Sequence, residues 1–328
     1  MDLMKILIFR ITFILTVFIL SSCERKAYYD PCFPPIPLNF QMLNTASNDY
    51  NSNIGPGRRL QLTFSSDRYR TDFNFVVKRL DLVYRTDEGS LYMEVVTNDS
   101  ETVMNQIIYK ANTAANEYGP HSVSVESGVY LLYAGDGSGN LDIMYNKCIE
   151  ASSEQTYFSG HVVTEASRAV ALNSPYNEAY PCIEEDICYF CTDRTGNYDL
   201  CYTPVDKAFD LWIRDTAELA LTFPANINSA FADQCPFIRG NLMVFTSNRD
   251  GGFGGYDLYY SLKDASGQWS DPVNFGEEIN SESDEFRPVV SAFEDFTNDF
   301  MVFSSNRAGG VGGFDLYYVG IPKMIKLQ

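Results

Sequence analysis

The feature that most constrains this chain is an internal repeat. Met243-Val-Phe-Thr-Ser-Asn-Arg-Asp-Gly-Gly-Phe-Gly-Gly-Tyr-Asp-Leu-Tyr-Tyr260 lies over Met301-Val-Phe-Ser-Ser-Asn-Arg-Ala-Gly-Gly-Val-Gly-Gly-Phe-Asp-Leu-Tyr-Tyr318 without a gap. Weaker copies keep the same order in Tyr189–Tyr202, Leu132–Tyr145 and Leu62–Arg68, which makes five units. Self-similarity at such a period means that each unit is one supersecondary element whose apolar faces are covered by its neighbours.

A second motif precedes each copy: an asparagine, an acid five residues on and a proline eight on. It reads Asn280, Glu285, Pro288 in the clearest case. Asn228, Asn173 and Asn112 repeat it in full, whereas Asn44 keeps the acid Asp49 but has Ser52 in place of proline. Within a unit the segments are short and rich in β-branched and aromatic residues, with glycine turns between them, and no convincing amphipathic helix interrupts them. A fourth segment near Trp269–Phe275 completes about four strands per unit. This predicts an all-β fold, a five-bladed β-propeller with four-stranded blades over residues 36–328. The last unit stops after its third strand, and Pro37–Asn44 resembles Pro272–Asn280. The N-terminal strand is therefore expected to join the last blade and close the ring, pairing two otherwise open edges.

Ahead of this domain, Lys5 and Arg10 lead into an apolar run, Ile11 to Leu20, ending in Leu20-Ser21-Ser22-Cys23. The run is short for a membrane-spanning helix and has the pattern of a signal peptide, residues 1–22, cut before a cysteine that becomes lipidated. Residues 23–35, with Cys23 at their head, read as a lipidated tether. Several acyl chains make such an anchor stable where one would be marginal. The formal net charge of −19 and the lack of any basic run disfavour nucleic acid and anionic headgroups as partners, so the membrane is reached through the lipid alone. The expected location is the outer membrane, on its periplasmic or cell-surface face.

The repeats resemble the WD-like, TolB-type β-propeller repeats of Bacteroidota lipoproteins. The resemblance covers about residues 36 to 320. It implies a protein-binding or scaffolding module in the cell envelope, accessory to an outer-membrane assembly with an envelope protein as partner, and it brings no catalytic residues, cofactor or metal. The reading is thus of a protein that is not an enzyme. The alternative is a carbohydrate-active protein, glycosidase or lectin, because five-bladed propellers also host two-carboxylate glycosidases.

The repeated polar residues have structural and functional readings. Asp49, Glu117, Glu178, Asp233 and Glu285 recur once per unit, so they either cap loops through backbone N–H groups or form an axial ring that binds a cation or polar partner. Arg194, Arg249 and Arg307 are expected to pair across the glycine turn with Asp199, Asp257 and Asp315. Unit two has Gly137 in the arginine position. The loops Gly251–Gly255 and Gly309–Gly313 precede strands, so they read as turns and not as phosphate cradles. Cys182, Cys188, Cys191 and Cys201 crowd one unit, either as cross-strand disulfides or as small buried fillers. His121 and His161 fall in strand positions without a nucleophile beside them.

Overall fold

The computed structural model describes residues 28–55, 60–96, 103–150 and 160–326. The signal peptide and Cys23 lie outside the described residues. Five antiparallel sheets follow one another along the chain. Blade one comprises Asp49–Ile54, Leu60–Ser66, Asn74–Arg85 and Ser90–Val95. Blade two comprises Glu117–Val125, Gly128–Gly135 and Asp142–Glu150, the last paired with both His161–Val163 and Ser167–Arg168. Blade three has Glu178–Glu184, Ile187–Thr192 and Asp199–Pro204, with Thr222 bridging Tyr202 at the place of a fourth strand. Blade four has Asp233–Arg239, Leu242–Ser247, Asp257–Leu262 and Val273–Asn274. Blade five has Glu285–Ser291, Asp299–Ser305 and Asp315–Ile321.

Closure occurs as the sequence suggests. Leu38–Asn39 pairs antiparallel with blade five, Leu38 opposite Tyr318 and Asn39 opposite Tyr317. The lead-in is packed as well as paired: Phe33 stacks on Phe296 at 4.2 Å, its amide donates to Asn298 Oδ1 at 2.8 Å, and Phe40 is buried against Tyr318. Second strands such as Leu242–Ser247 and Asp299–Ser305 are buried along their whole length, because each blade is covered on both faces by its neighbours.

The asparagine motif is the fastener between blades. Asn280 accepts from the Leu258 amide at 2.8 Å and donates to its carbonyl at 3.1 Å, so one side chain satisfies both main-chain polar groups of one residue on the preceding blade. Asn44 grips Leu316, Asn112 grips Phe75, Asn173 grips Ile143 and Asn228 grips Leu200 in the same way. Around the ring, every blade is therefore clipped to the one before it, and Asn44 clips blade one to blade five. An asparagine suits this task because its amide carries a donor and an acceptor side by side. Among the described residues one helix of more than a single turn, Val103–Ala111, packs outside blades one and two. No helix among the described residues is long and apolar enough to cross a membrane.

Candidate functional site

The five repeated acids are almost wholly buried, between 0% and 2% exposed, and each is bound within its own blade. Glu285 accepts from the Ser281 amide at 2.8 Å and hydroxyl at 2.6 Å, from the Ser305 hydroxyl at 3.0 Å and from Arg307 at 2.8 Å. Asp49, Glu178 and Asp233 repeat the loop amide and hydroxyl contacts and the arginine contact. In these four blades the carboxylate is committed to neutralising a guanidinium and ordering a loop.

The expected turn pairs are corrected by this geometry. Arg194, Arg249 and Arg307 pair with Glu178, Asp233 and Glu285, not with Asp199, Asp257 and Asp315. The reason is the lie of the side chain. Arg249 runs back over the rings of Phe245 and Tyr259, at 5.3 and 4.9 Å, which carries its guanidinium to the Ile227 carbonyl and the first-strand acid. Meanwhile Asp257 is occupied by the amides of Phe253 and Gly254 and by Asn274, and Asp315 by the amides of Val311 and Gly312 and by Asn39. Asp199 accepts from Thr195. The glycine loops are turns pressed on the next blade: a Cβ at Gly312 would meet the Ser47 carbonyl at 1.9 Å. All seven described cysteines are free, and six are buried. Cys182 and Cys188 face different apolar clusters, as do Cys191 and Cys201, so neither adjacent pair meets across the strands.

Blade two departs from the pattern. Its acid Glu117 accepts at Oε1 from the Thr113 amide and hydroxyl, but Oε2 is buried with no partner. Burial pushes its carboxyl up to about 7. Asp142 instead takes Arg168 at 2.7 Å.

The residues that face the axis were not singled out by the repeat. Two positions after each acid, Asn51, Gly119, Tyr180, Cys235 and Arg287 all take a positive φ, between 50° and 57°, at a β-bulge in the first strand. A left-handed conformation is uncommon for residues other than glycine, and its fivefold recurrence marks an architectural bend. Arg287 is fully buried there, crossing to the carbonyls of Pro236 and Pro120 on blades four and two and lying 5.6 Å from the Tyr180 ring centroid. The signal was present as a proline motif, whose carbonyls receive this arginine.

Beyond that layer the far ends of the five first strands surround an axial cavity of about 360 Å³, lined by residues 53–55, 121–124, 183–184, 237–239 and 290–292. Its wall carries Asn53, Ser122, Ser124 and Ser291 beside the charged Glu184 and Arg239. His121 lines it too, held by the Ile183 amide at Nε2, and burial together with the Arg287 charge pushes its imidazole down to about 3. It is therefore neutral at ordinary pH. Glu184 accepts from the Gly240 amide at 2.5 Å. Its sibling positions hold Gly55, Val123, Arg239 and Ser291, so this carboxylate breaks the fivefold pattern. A second pocket of about 550 Å³ shares Val123, Ser124 and Ile183 with the first and adds Glu126, Glu185 and Asp186.

No family model and no curated protein matches the chain. Solved structures do. A thermostable family-43 glycoside hydrolase superimposes with a TM-score of 0.50 at 13% identity over 92% of this chain and 98% of its own. The catalytic domain of a Coprinopsis cinerea GH62 α-L-arabinofuranosidase gives 0.48 at 10% identity, over 90% and 97%. A putative glycoside hydrolase from Bacteroides ovatus gives 0.47 at 9%, over 94% and 97%. The first of these, at 13% identity, shows the fold alone. These structures are glycoside hydrolases, where WD-like, TolB-type repeats were expected; that corrects the expected resemblance, and the scaffold and non-enzyme readings lose the support they drew from it.

Proposed function

We propose that the protein acts on glycans, hydrolysing them at the axial funnel. The observation that carries this reading is the funnel itself: a concave site on the ring axis, walled by hydrogen-bonding side chains from all five blades, with a carboxylate that the repeat does not require. Sugars present dense hydroxyls, and a wall of amide, hydroxyl, imidazole and guanidinium groups matches them. Glu184 is the group placed to hand a proton to a leaving glycosidic oxygen. Glu185 and Asp186 follow it on the same hairpin and line the adjoining pocket, so a chain of sugars lying across Ile183 has Glu184 on one side and a second acid on the other. Two carboxylates flanking the scissile bond are what the common mechanism asks for. The same proposal keeps the protein at the outer membrane, anchored through Cys23; labelled palmitate incorporated by the native chain and lost in Cys23→Ala tests that part.

The functional part is tested with a panel of nitrophenyl glycosides and oligosaccharides. We expect at least one to be turned over and Glu184→Gln to lower kcat on the order of 100-fold or more with the fold intact. Unchanged turnover in Glu184→Gln, or neither turnover nor binding of any glycan, would contradict the reading.

A further inference from the structure

The chain carries 43 acidic residues against 24 lysines and arginines, and arginines around the ring are engaged by carboxylates. Arg68, Arg194, Arg249 and Arg307 pair with the first-strand acids, and Arg168 pairs with Asp142. Two arginines at the axis are not engaged in this way. Arg287, fully buried, donates to the neutral carbonyls of Pro120 and Pro236 at 3.3 and 3.4 Å, and its Nε has no partner. Arg239 ends the first strand of blade four, is exposed, and forms no ion pair among the described residues.

Both charges act on the axial cavity. Arg239 lines it, and so do His121 and Phe237, the residues that follow the two carbonyls holding Arg287. His121 registers the pair: burial first, and then the charges of Arg287 and Arg239, push its imidazole down to about 3. Against two guanidinium charges and a neutral imidazole the wall sets one carboxylate, Glu184, at the same level on the preceding blade. In a chain of net charge −19, positive charge is thus in excess at the bottom of a concave site. The adjoining pocket has the opposite sign, with Glu126, Glu185, Asp186 and Asp210 against Lys207.

The planar fork of an unpaired guanidinium matches a carboxylate with two parallel hydrogen bonds. A buried cation with no counter-charge is costly, so an anion entering the cavity also lowers the cost of Arg287. The volume of about 360 Å³ lies within the range of roughly 300–1,000 Å³ for ligand pockets. The acids of the adjoining pocket repel a second anion, so a run of acidic sugars is disfavoured there.

We propose that the axial cavity is a subsite for one acidic sugar, a hexuronic acid whose carboxylate pairs with Arg239 beside Glu184, while neutral sugars of the same glycan occupy the adjoining pocket. The proposal rests on the glycan reading of the funnel and adds the substrate class to it.

The test is calorimetric titration with oligosaccharides that each contain one glucuronic or galacturonic acid. Each is compared with its carboxyl-reduced counterpart, which keeps the linkages and loses only the charge, and with its 6-O-sulfated analogue. The native chain is set beside Arg239→Met and Arg239→Lys; an exposed, unpaired side chain can be replaced without loss of the fold, which thermal unfolding checks. At least one acidic oligosaccharide is expected to bind on the order of 10-fold more tightly than its reduced counterpart. Arg239→Met should abolish that preference and leave the affinity for the reduced counterpart unchanged, whereas Arg239→Lys should keep part of it, having the charge without the fork. Reduced oligosaccharides bound as tightly as acidic ones would overturn the acidic subsite and leave the glycan reading standing. A preference that survives in Arg239→Met, or one that favours the sulfated analogue over the carboxylate, would overturn the pairing with Arg239. If neither acidic nor reduced forms bind, the glycan reading falls and this inference falls with it.

Discussion

At the residue scale the fold is held by buried charges that are matched blade by blade. Glu285 has no exposed surface and Arg307 little, so Arg307→Ala leaves a carboxylate buried without its counter-charge. Breaking a buried pair in this way costs about 3 kcal/mol or more. Denaturant titration should show that loss, and a variant as stable as the native chain would count against the role given to the pair. Glu117 has the opposite dependence on pH from most acids. Its folded-state value lies near 7, above the ordinary 4.5, so the folded form holds the proton more tightly. Its contribution to stability is complete below pH 4.5 and is lost as pH rises through about 7. Stability measured across that window should fall with pH in the native chain and fall less in Glu117→Gln. The sequence made the acids and arginines visible as a repeat, yet it paired the arginines with the wrong aspartates. Spacing along the chain favours the partner across the nearest turn, whereas the aromatic bed beneath each arginine sends it to the first strand.

At the scale of elements, what the sequence disclosed was the order of strands, the closure and the recurrence of an asparagine ahead of each blade. These were legible because they depend on local pattern, repeated five times. The bulge that turns Asn51, Tyr180, Cys235 and Arg287 into left-handed residues was not, because those side chains share no chemistry; only the backbone repeats. Closure by Leu38–Asn39 is short, two residues, but Phe33, Phe40 and the Asn44 clip extend it. A chain that begins after Asn44 loses all of them and exposes the edge of blade five. It is expected to unfold at lower temperature and to self-associate, as seen by light scattering beside calorimetry. An unchanged, monodisperse chain would show that the ring does not need its front end.

At the scale of the whole molecule, the two ends of the axis differ. One end is given over to loops whose acids, asparagines and glycines are consumed by the architecture. The other opens into the funnel, where the pattern lapses and Glu184, His121 and Arg239 stand together. The repeat drew attention to the first end because repetition is what sequence comparison detects. The candidate site escaped notice because it consists of the positions at which the blades disagree. His121 was placed correctly in a strand, but nothing in its neighbours along the chain shows that the strand ends at a cavity.

The most direct test is hydrogen–deuterium exchange of the native chain with and without the oligosaccharide that the glycoside panel selects. The funnel reading predicts slowed exchange at residues 53–55, 121–124, 183–184, 237–239 and 290–292, all five first strands at one end of the axis. Protection confined to the opposite loops, around the exposed Tyr176 and Phe231, would contradict it.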